Sequence, residues 1–208
     1  MTGKHRNLKE LMADTITWNK LVLFVSGCIS SVLFFVYAVP AVFQKSLWLW
    51  TFASGEIILL CLRFSLAHDI HHKTSILLSN RKTAAGLISF SIIISGACAL
   101  SILKNDRFAY SKIMLMILTL LTILRLVYAV YKMIAGRKND TYPEPETAAI
   151  RLAAVGFSIF GWETAFVSHF SDSFMRYSNV FNEVFGTLVY ILILYLGIRL
   201  LYIQKKRR

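Results

Sequence analysis

The segment Phe108 to Tyr131, FAYSKIMLMILTLLTILRLVYAVY, decides the fold class of this chain. Only Lys112 and Arg125 carry a charge among its 24 residues. At 1.5 Å per residue an α-helix of this length measures about 36 Å, which is enough to cross the hydrocarbon core of a bilayer, about 30 Å thick. A segment in hydrocarbon must satisfy its own backbone hydrogen bonds, so we predict a transmembrane helix rather than an open strand.

Five further apolar runs of similar length accompany this segment, and the 208-residue chain is 56% hydrophobic but only 16% charged. Soluble domains carry about 25% charged residues. The sequence therefore predicts an all-α, polytopic membrane bundle, formed by one six-helix domain over residues 18–208. The predicted spans are residues 20–43, 47–66, 83–103, 108–131, 148–170 and 181–203.

The positions of the basic residues predict the orientation of the bundle. If both termini are inside, 15 of the 23 Lys and Arg residues fall in inner segments, five in outer loops and three within helices. Cytoplasmic loops carry such an excess. We therefore expect an integral protein of a bacterial plasma membrane, with both termini, an amphipathic segment at 1–17 and a loop at 132–147 in the cytoplasm.

A net charge of +12 would suggest a nucleic-acid partner in a soluble protein. Here the charges flank membrane spans, so we expect membrane lipids as partners and no nucleic acid. The three cysteines lie within predicted spans, where we expect them to be small buried side chains.

A similar tripeptide occurs near the inner end of each even-numbered span: LRF at 62–64, LRL at 124–126 and IRL at 198–200. This spacing predicts three tandem two-helix hairpins. The odd-numbered spans are richer in Gly, Ala and Ser, which let helix backbones approach closely in a bilayer. We therefore expect the odd spans to pack centrally and the even spans to lie at the periphery.

Five ionisable residues within the spans are candidates for a translocation path, because charge inside a bilayer is costly. Arg63, Arg125 and Arg199 lie about 10 Å inward of the middle of their spans, so they could also extend to the inner headgroups as anchors. Glu56 and Glu163 lie nearer the middle and are too short to do so. Each acid could line a polar path or be a protonated or hydrogen-bonded packing group.

The histidine-rich segment LAHDIHHKTS, residues 66–75, raises the question of a metal. Its His-x-x-His-His spelling resembles the boxes of membrane-bound di-iron hydroxylases and desaturases. That resemblance implies many more histidines in further boxes, whereas the rest of this chain holds only His5 and His169. His68 and His72 are thus weak metal candidates, and we expect no cofactor.

Three functions follow from these observations. The first is a small transporter, channel or permease subunit that moves an ion or small solute, since mid-membrane acids and internal repeats are common in transporters. The second is a non-transporting interaction protein, such as an immunity, assembly or accessory subunit, acting as a homo-oligomer or with a membrane partner. The third is a membrane-embedded metal-dependent enzyme; catalysis is the least favoured reading because no catalytic motif is present.

Overall fold

The structure is a computed structural model that describes residues 15–71, 76–104, 110–138, 145–169 and 178–206. These residues form six α-helices and no strand within the described ranges. The helices are α1 (Thr15–Gln44), α2 (Leu47–His71), α3 (Ile76–Lys104), α4 (Lys112–Lys138), α5 (Pro145–His169) and α6 (Ser178–Lys206).

Five helices are long and apolar enough to cross a membrane, which confirms the predicted all-α membrane bundle. Their candidate spans are Leu23–Gln44, Leu47–Asp69, Lys112–Lys132, Pro145–His169 and Glu183–Ile203. The predicted span at 83–103 lies within α3, which is not among these five. Its crossing of the membrane stays a prediction.

Several helices extend beyond the predicted spans. Helix α2 continues to His71, and α4 continues to Lys138, so the predicted loop at 132–147 is helical over 132–138 and again from Pro145. Hydropathy marks only the apolar part of a helix, and a helix can continue through charged residues outside the hydrocarbon, so the cytoplasmic position of 132–147 stays a prediction. Most of the predicted amphipathic segment, residues 1–14, lies outside the described residues.

A two-residue connection joins α1 to α2 and makes them antiparallel. Lys45 adopts the left-handed conformation, with a φ of 50°, which commonly ends a helix. The backbone N–H of Leu49 donates to the Ser46 side-chain oxygen at 3.2 Å, so Ser46 caps the start of α2.

The helices do not pack as three consecutive hairpins. The most extensive contacts join α1 to α2 and α3 to α6, whereas α4 packs mainly on α5 and has no extensive contact with α3 in the described part of the chain. The predicted middle hairpin was therefore wrong. Short sequence matches report helix composition, while the partner of a helix depends on which surfaces fit.

The predicted division into central odd and peripheral even helices holds for α5, the most buried of the five candidate spans, and for α4, the least buried, but it fails for α2. Helix α5 contacts α2, α3, α4 and α6, and α2 is nearly as buried as α5. Helix α6 fits closely on α3 through Gly197, because a Cβ added there would lie 2.9 Å from Ile88 Cγ1. One glycine at the contact point thus matters more than the overall number of small residues.

Aromatic side chains fill the half of the bundle near the α1–α2 connection. The Phe52 ring lies 5.1 Å from Tyr37, 5.3 Å from Phe157 and 5.3 Å from Phe160, between centroids. The lack of a side chain at Gly161 makes room for the Tyr37 hydroxyl, because an added Cβ would overlap it. This cluster closes that end of the bundle around the centre.

Candidate functional site

A buried ion pair joins α2 to α4 in the middle of the bundle. Arg125 Nη1 and Nη2 donate to Glu56 Oε1 and Oε2 at 2.8 Å and 2.7 Å. The two residues are only 4% and 1% exposed. A charged pair with two parallel hydrogen bonds is among the strongest polar contacts in proteins, and it fixes the relative position of both side chains.

Ser30, from α1, connects this pair to a second arginine. Its hydroxyl donates to Glu56 Oε2 at 2.7 Å and accepts from Arg125 Nη2 at 2.6 Å. It also accepts a hydrogen bond from Arg63 Nη1. A serine hydroxyl offers one donor and two acceptor lone pairs, so Ser30 uses its full capacity here.

Helix α5 completes the cluster. Arg125 Nη1 also donates to the Ser158 hydroxyl and, at 3.4 Å, to the Ala154 carbonyl. Thr122, one turn before Arg125 on α4, donates to the Ser158 backbone carbonyl at 3.3 Å. We call Ser30, Glu56, Arg63, Arg125 and Ser158 the central cluster; it holds two guanidinium groups and one carboxylate.

The structure places the predicted arginines in different surroundings. Arg125 lies three residues from the middle of its candidate span, about 4.5 Å along the helix, and it is buried. Arg63 is 3% exposed and bonded to Ser30, so neither side chain extends to the headgroups as an anchor. Arg199 lies on the exposed surface of α6 and does not join the central cluster.

Glu163 belongs to a second polar group, on the side of the bundle toward the α1–α2 connection. It is buried and lies near Tyr110, which is also buried. The Tyr37 ring stacks on Phe52, and its hydroxyl lies against Gly161, two residues before Glu163 on α5.

On the opposite side, Tyr128 connects the central cluster to Arg151. The Arg151 guanidinium lies 5.8 Å from the Tyr128 ring centroid, and Tyr128 follows Arg125 by three residues on α4. Arg151 and Glu163 are 12 residues, or about 18 Å, apart along α5, with Ser158 of the central cluster between them in sequence.

Comparison of the chain with protein-family models, curated proteins and solved structures found no match. The chemistry of the central cluster has to be judged from its own geometry.

Residues 66–71 of the histidine-rich segment form the end of α2, and 72–75, including His72, lie outside the described residues. His68 is exposed, with Nδ1 3.9 Å from Asp69 Oδ1. Asp69 is buried and accepts from Lys82 Nζ at 3.0 Å, which ties α2 to α3. No group of three His, Cys, Asp or Glu side chains converges within the described ranges.

The sequence indicated Glu56, Arg63 and Arg125 individually but not Ser30 or Ser158. Both serines were interpreted as packing residues. The available signal was their depth: Ser30 and Ser158 lie within about four residues of the middle of their candidate spans, at the level of Glu56. Serine hydroxyls at that depth form hydrogen bonds across helices in membranes.

Proposed function

We propose that this protein is a small membrane transporter or permease subunit, and that the central cluster is the binding point of its translocation path. The observation that carries the proposal is the buried network of Glu56, Arg125 and Arg63, held by serines from α1 and α5. Ionisable side chains at this depth are retained in membrane proteins mostly where they serve ions, protons or substrates.

The charge of the central cluster favours an anion as the transported species. Arg63 and Arg125 contribute two positive charges, and Glu56 contributes one negative charge, so the three groups together carry +1. Arg63 Nη2 and Arg125 Nε are buried without a hydrogen-bond partner among the described residues. Buried charge and unmade hydrogen bonds both cost free energy, and a small anion would reduce both costs.

We expect such an anion to pass the two flanking polar groups on its way to and from the central cluster. Arg151 and Tyr128 lie on the predicted cytoplasmic side, and Glu163 with Tyr110 lies on the predicted outer side. The aromatic cluster around Phe52 packs beside Tyr37. Passage through the bundle thus requires movement of Tyr37 and Phe52, as expected of a closed state in an alternating mechanism.

The experiment is an ion flux assay with the purified full chain in proteoliposomes. Chloride, nitrate, acetate and inorganic phosphate are tested in turn as anions, and proton movement is followed with a trapped pH-sensitive dye. We expect flux of at least one anion above that of empty vesicles. We expect Arg63→Gln to lower it at least ~10-fold, since a hydrogen bond to a charged group is worth about that factor or more.

Arg199→Gln is the matched control, because Arg199 is the corresponding arginine of α6 but lies at the surface. Its flux should equal that of the unaltered protein. Equal flux in Arg63→Gln and Arg199→Gln would overturn the central cluster as the path. Absence of flux for all four anions and for protons would overturn transport, and a membrane protein held stoichiometrically in mild detergent would then establish the interaction protein instead.

A further inference from the structure

A cleft of about 360 Å³ lies between α1 and α2, on the side of the central cluster away from the Lys45 turn. Its lining is mostly apolar and includes Leu23, Gly27, Leu60 and Ala67. Phe24 and Phe64, at its rim, are 67% and 63% exposed, so the cleft opens on the surface of the bundle that faces lipid. This volume is within the usual range for small-molecule sites, about 300–1,000 Å³.

One charged residue lines the cleft. Arg63 contributes to its wall, and this residue is only 3% exposed. Nη1 is engaged by Ser30, whereas Nη2 has no hydrogen-bond partner in the described part of the chain. A guanidinium without a full set of acceptors, in an apolar cleft, is a recognition element for a carboxylate or phosphate.

We propose that this cleft binds an anionic phospholipid, with one acyl chain between α1 and α2 and the headgroup phosphate on Arg63. The apolar lining and the opening toward lipid suit an acyl chain, and the positive charge of the central cluster suits the phosphate. Basic pockets between transmembrane helices on the cytoplasmic side are known to hold lipid headgroups.

The position of the cleft identifies the leaflet. Arg63 lies seven residues beyond Glu56 on α2, about 10 Å toward the end of that helix. In the predicted orientation this is the cytoplasmic half of the bilayer. The proposal does not depend on transport, because a lipid bound in the cleft would neutralise the +1 charge of the central cluster whether or not anything crosses the membrane.

Two cysteines supply a matched readout. Cys28 lines the cleft, whereas Cys61 is exposed on α2 and is not part of the lining. Both were predicted to be buried, and that prediction was wrong, because exposure to lipid does not require a polar residue. The purified chain in neutral detergent is treated with N-ethylmaleimide, and the modification of each cysteine is followed by peptide mass spectrometry.

We expect phosphatidylglycerol to slow modification of Cys28 and to leave Cys61 unchanged. Phosphatidylcholine, which is neutral overall, should protect Cys28 less, and inorganic phosphate should not protect it. In native mass spectrometry, Arg63→Gln should retain phosphatidylglycerol at least ~10-fold more weakly, the factor typical of a lost charged hydrogen bond. Arg199→Gln should retain it normally.

A second variant keeps the test independent of the stability of Arg63→Gln. Ser31 lines the cleft, and Ser31→Leu would fill part of it without touching the guanidinium. It should also weaken retention of phosphatidylglycerol. A variant without residues 2–14 should behave like the full chain. If Cys28 reacts faster in this variant than in the full chain when no lipid is added, the segment occupies the cleft and the proposal fails.

The remaining outcomes distinguish a bound anionic phospholipid from detergent exchange, a neutral lipid and free phosphate. Equal slowing of Cys28 and Cys61 would show general detergent exchange and overturn the site. Phosphatidylcholine carries the same phosphate but no net charge, so equal protection by it would overturn the preference for an anionic lipid. Equal retention of phosphatidylglycerol by Arg63→Gln and Arg199→Gln would remove the role of Arg63. Protection by inorganic phosphate alone would assign Arg63 to a small anion and would leave the transport proposal standing while this one fails.

Discussion

The charge sum of the central cluster makes a specific prediction about stability. In the unaltered chain the charges of Glu56, Arg63 and Arg125 sum to +1. Glu56 pairs directly with Arg125 and is linked to Arg63 through the Ser30 hydroxyl. Glu56→Gln raises the sum to +2 and leaves both guanidinium groups without a carboxylate. Arg125→Met lowers it to zero, because Glu56 then faces Arg63 across the Ser30 hydroxyl.

The two substitutions should therefore differ in cost. Removing one partner of a buried ion pair destabilises a protein by about 3–5 kcal/mol, and we expect Glu56→Gln to reach about 4 kcal/mol. Arg125→Met should cost about 2 kcal/mol, since Ser30 and Arg63 still serve the carboxylate. The double variant restores a sum of +1 and should cost about 3 kcal/mol, so the coupling between the sites is about 3 kcal/mol.

The measurement is a double-variant cycle in mixed detergent micelles. Unfolding by dodecyl sulfate is followed through the fluorescence of the four tryptophans. Arg199→Met, at an exposed position, serves as the control and should change the free energy of unfolding by less than about 0.5 kcal/mol. If the cost of the double variant equals the sum of the two single costs within ~0.5 kcal/mol, Glu56 and Arg125 do not interact and the ion pair is refuted. If Arg125→Met costs more than Glu56→Gln, the argument from the charge of the central cluster is refuted.

Three further predictions concern other parts of the bundle. Gly161→Val should lower the melting temperature, since the new side chain would overlap the Tyr37 hydroxyl at a cost of about 1–3 kcal/mol; Gly96→Ala, with nothing within 4 Å of the added Cβ, should not. Asp69→Asn should cost less than about 1 kcal/mol, because its partner Lys82 is half exposed, and a larger loss in thermal unfolding would contradict this. Reporter fusions after Asp140 and Asn105 should report inside and outside respectively, and an external Asp140 would reverse the orientation.

The helices of this fold could be predicted because each contains its own signal. A run such as 108–131 is long, apolar and nearly free of charge, and these properties require no knowledge of neighbouring helices. Helix pairing carries no such local signal. The fit of α6 on α3 depends on Gly197 lying opposite Ile88 and Ala84, which are more than 100 residues away along the chain.

In the candidate site, too, the single residues could be predicted from the sequence, whereas the contacts between them could not. Glu56, Arg63 and Arg125 were conspicuous because each places an ionisable group inside a span. Their connection was not predictable, because Glu56 and Arg125 are 69 residues apart and lie on different helices. Glu56 and Arg63 lie seven residues apart on α2, and nothing in the sequence of that helix indicates that Ser30 of α1 bridges them.

The three arginines of the predicted repeat explain why matching sequence does not give matching chemistry. A mid-membrane arginine is stabilised by whatever acceptors its neighbours present at the same depth. Arg125 meets Glu56 and Ser158, and Arg63 meets Ser30, whereas Arg199 is on the surface of α6. Burial follows from these acceptors rather than from the tripeptide. Removing the carboxylate, as in Glu56→Gln, should therefore destabilise the buried positions of Arg63 and Arg125, on two different helices, and leave Arg199 unaffected.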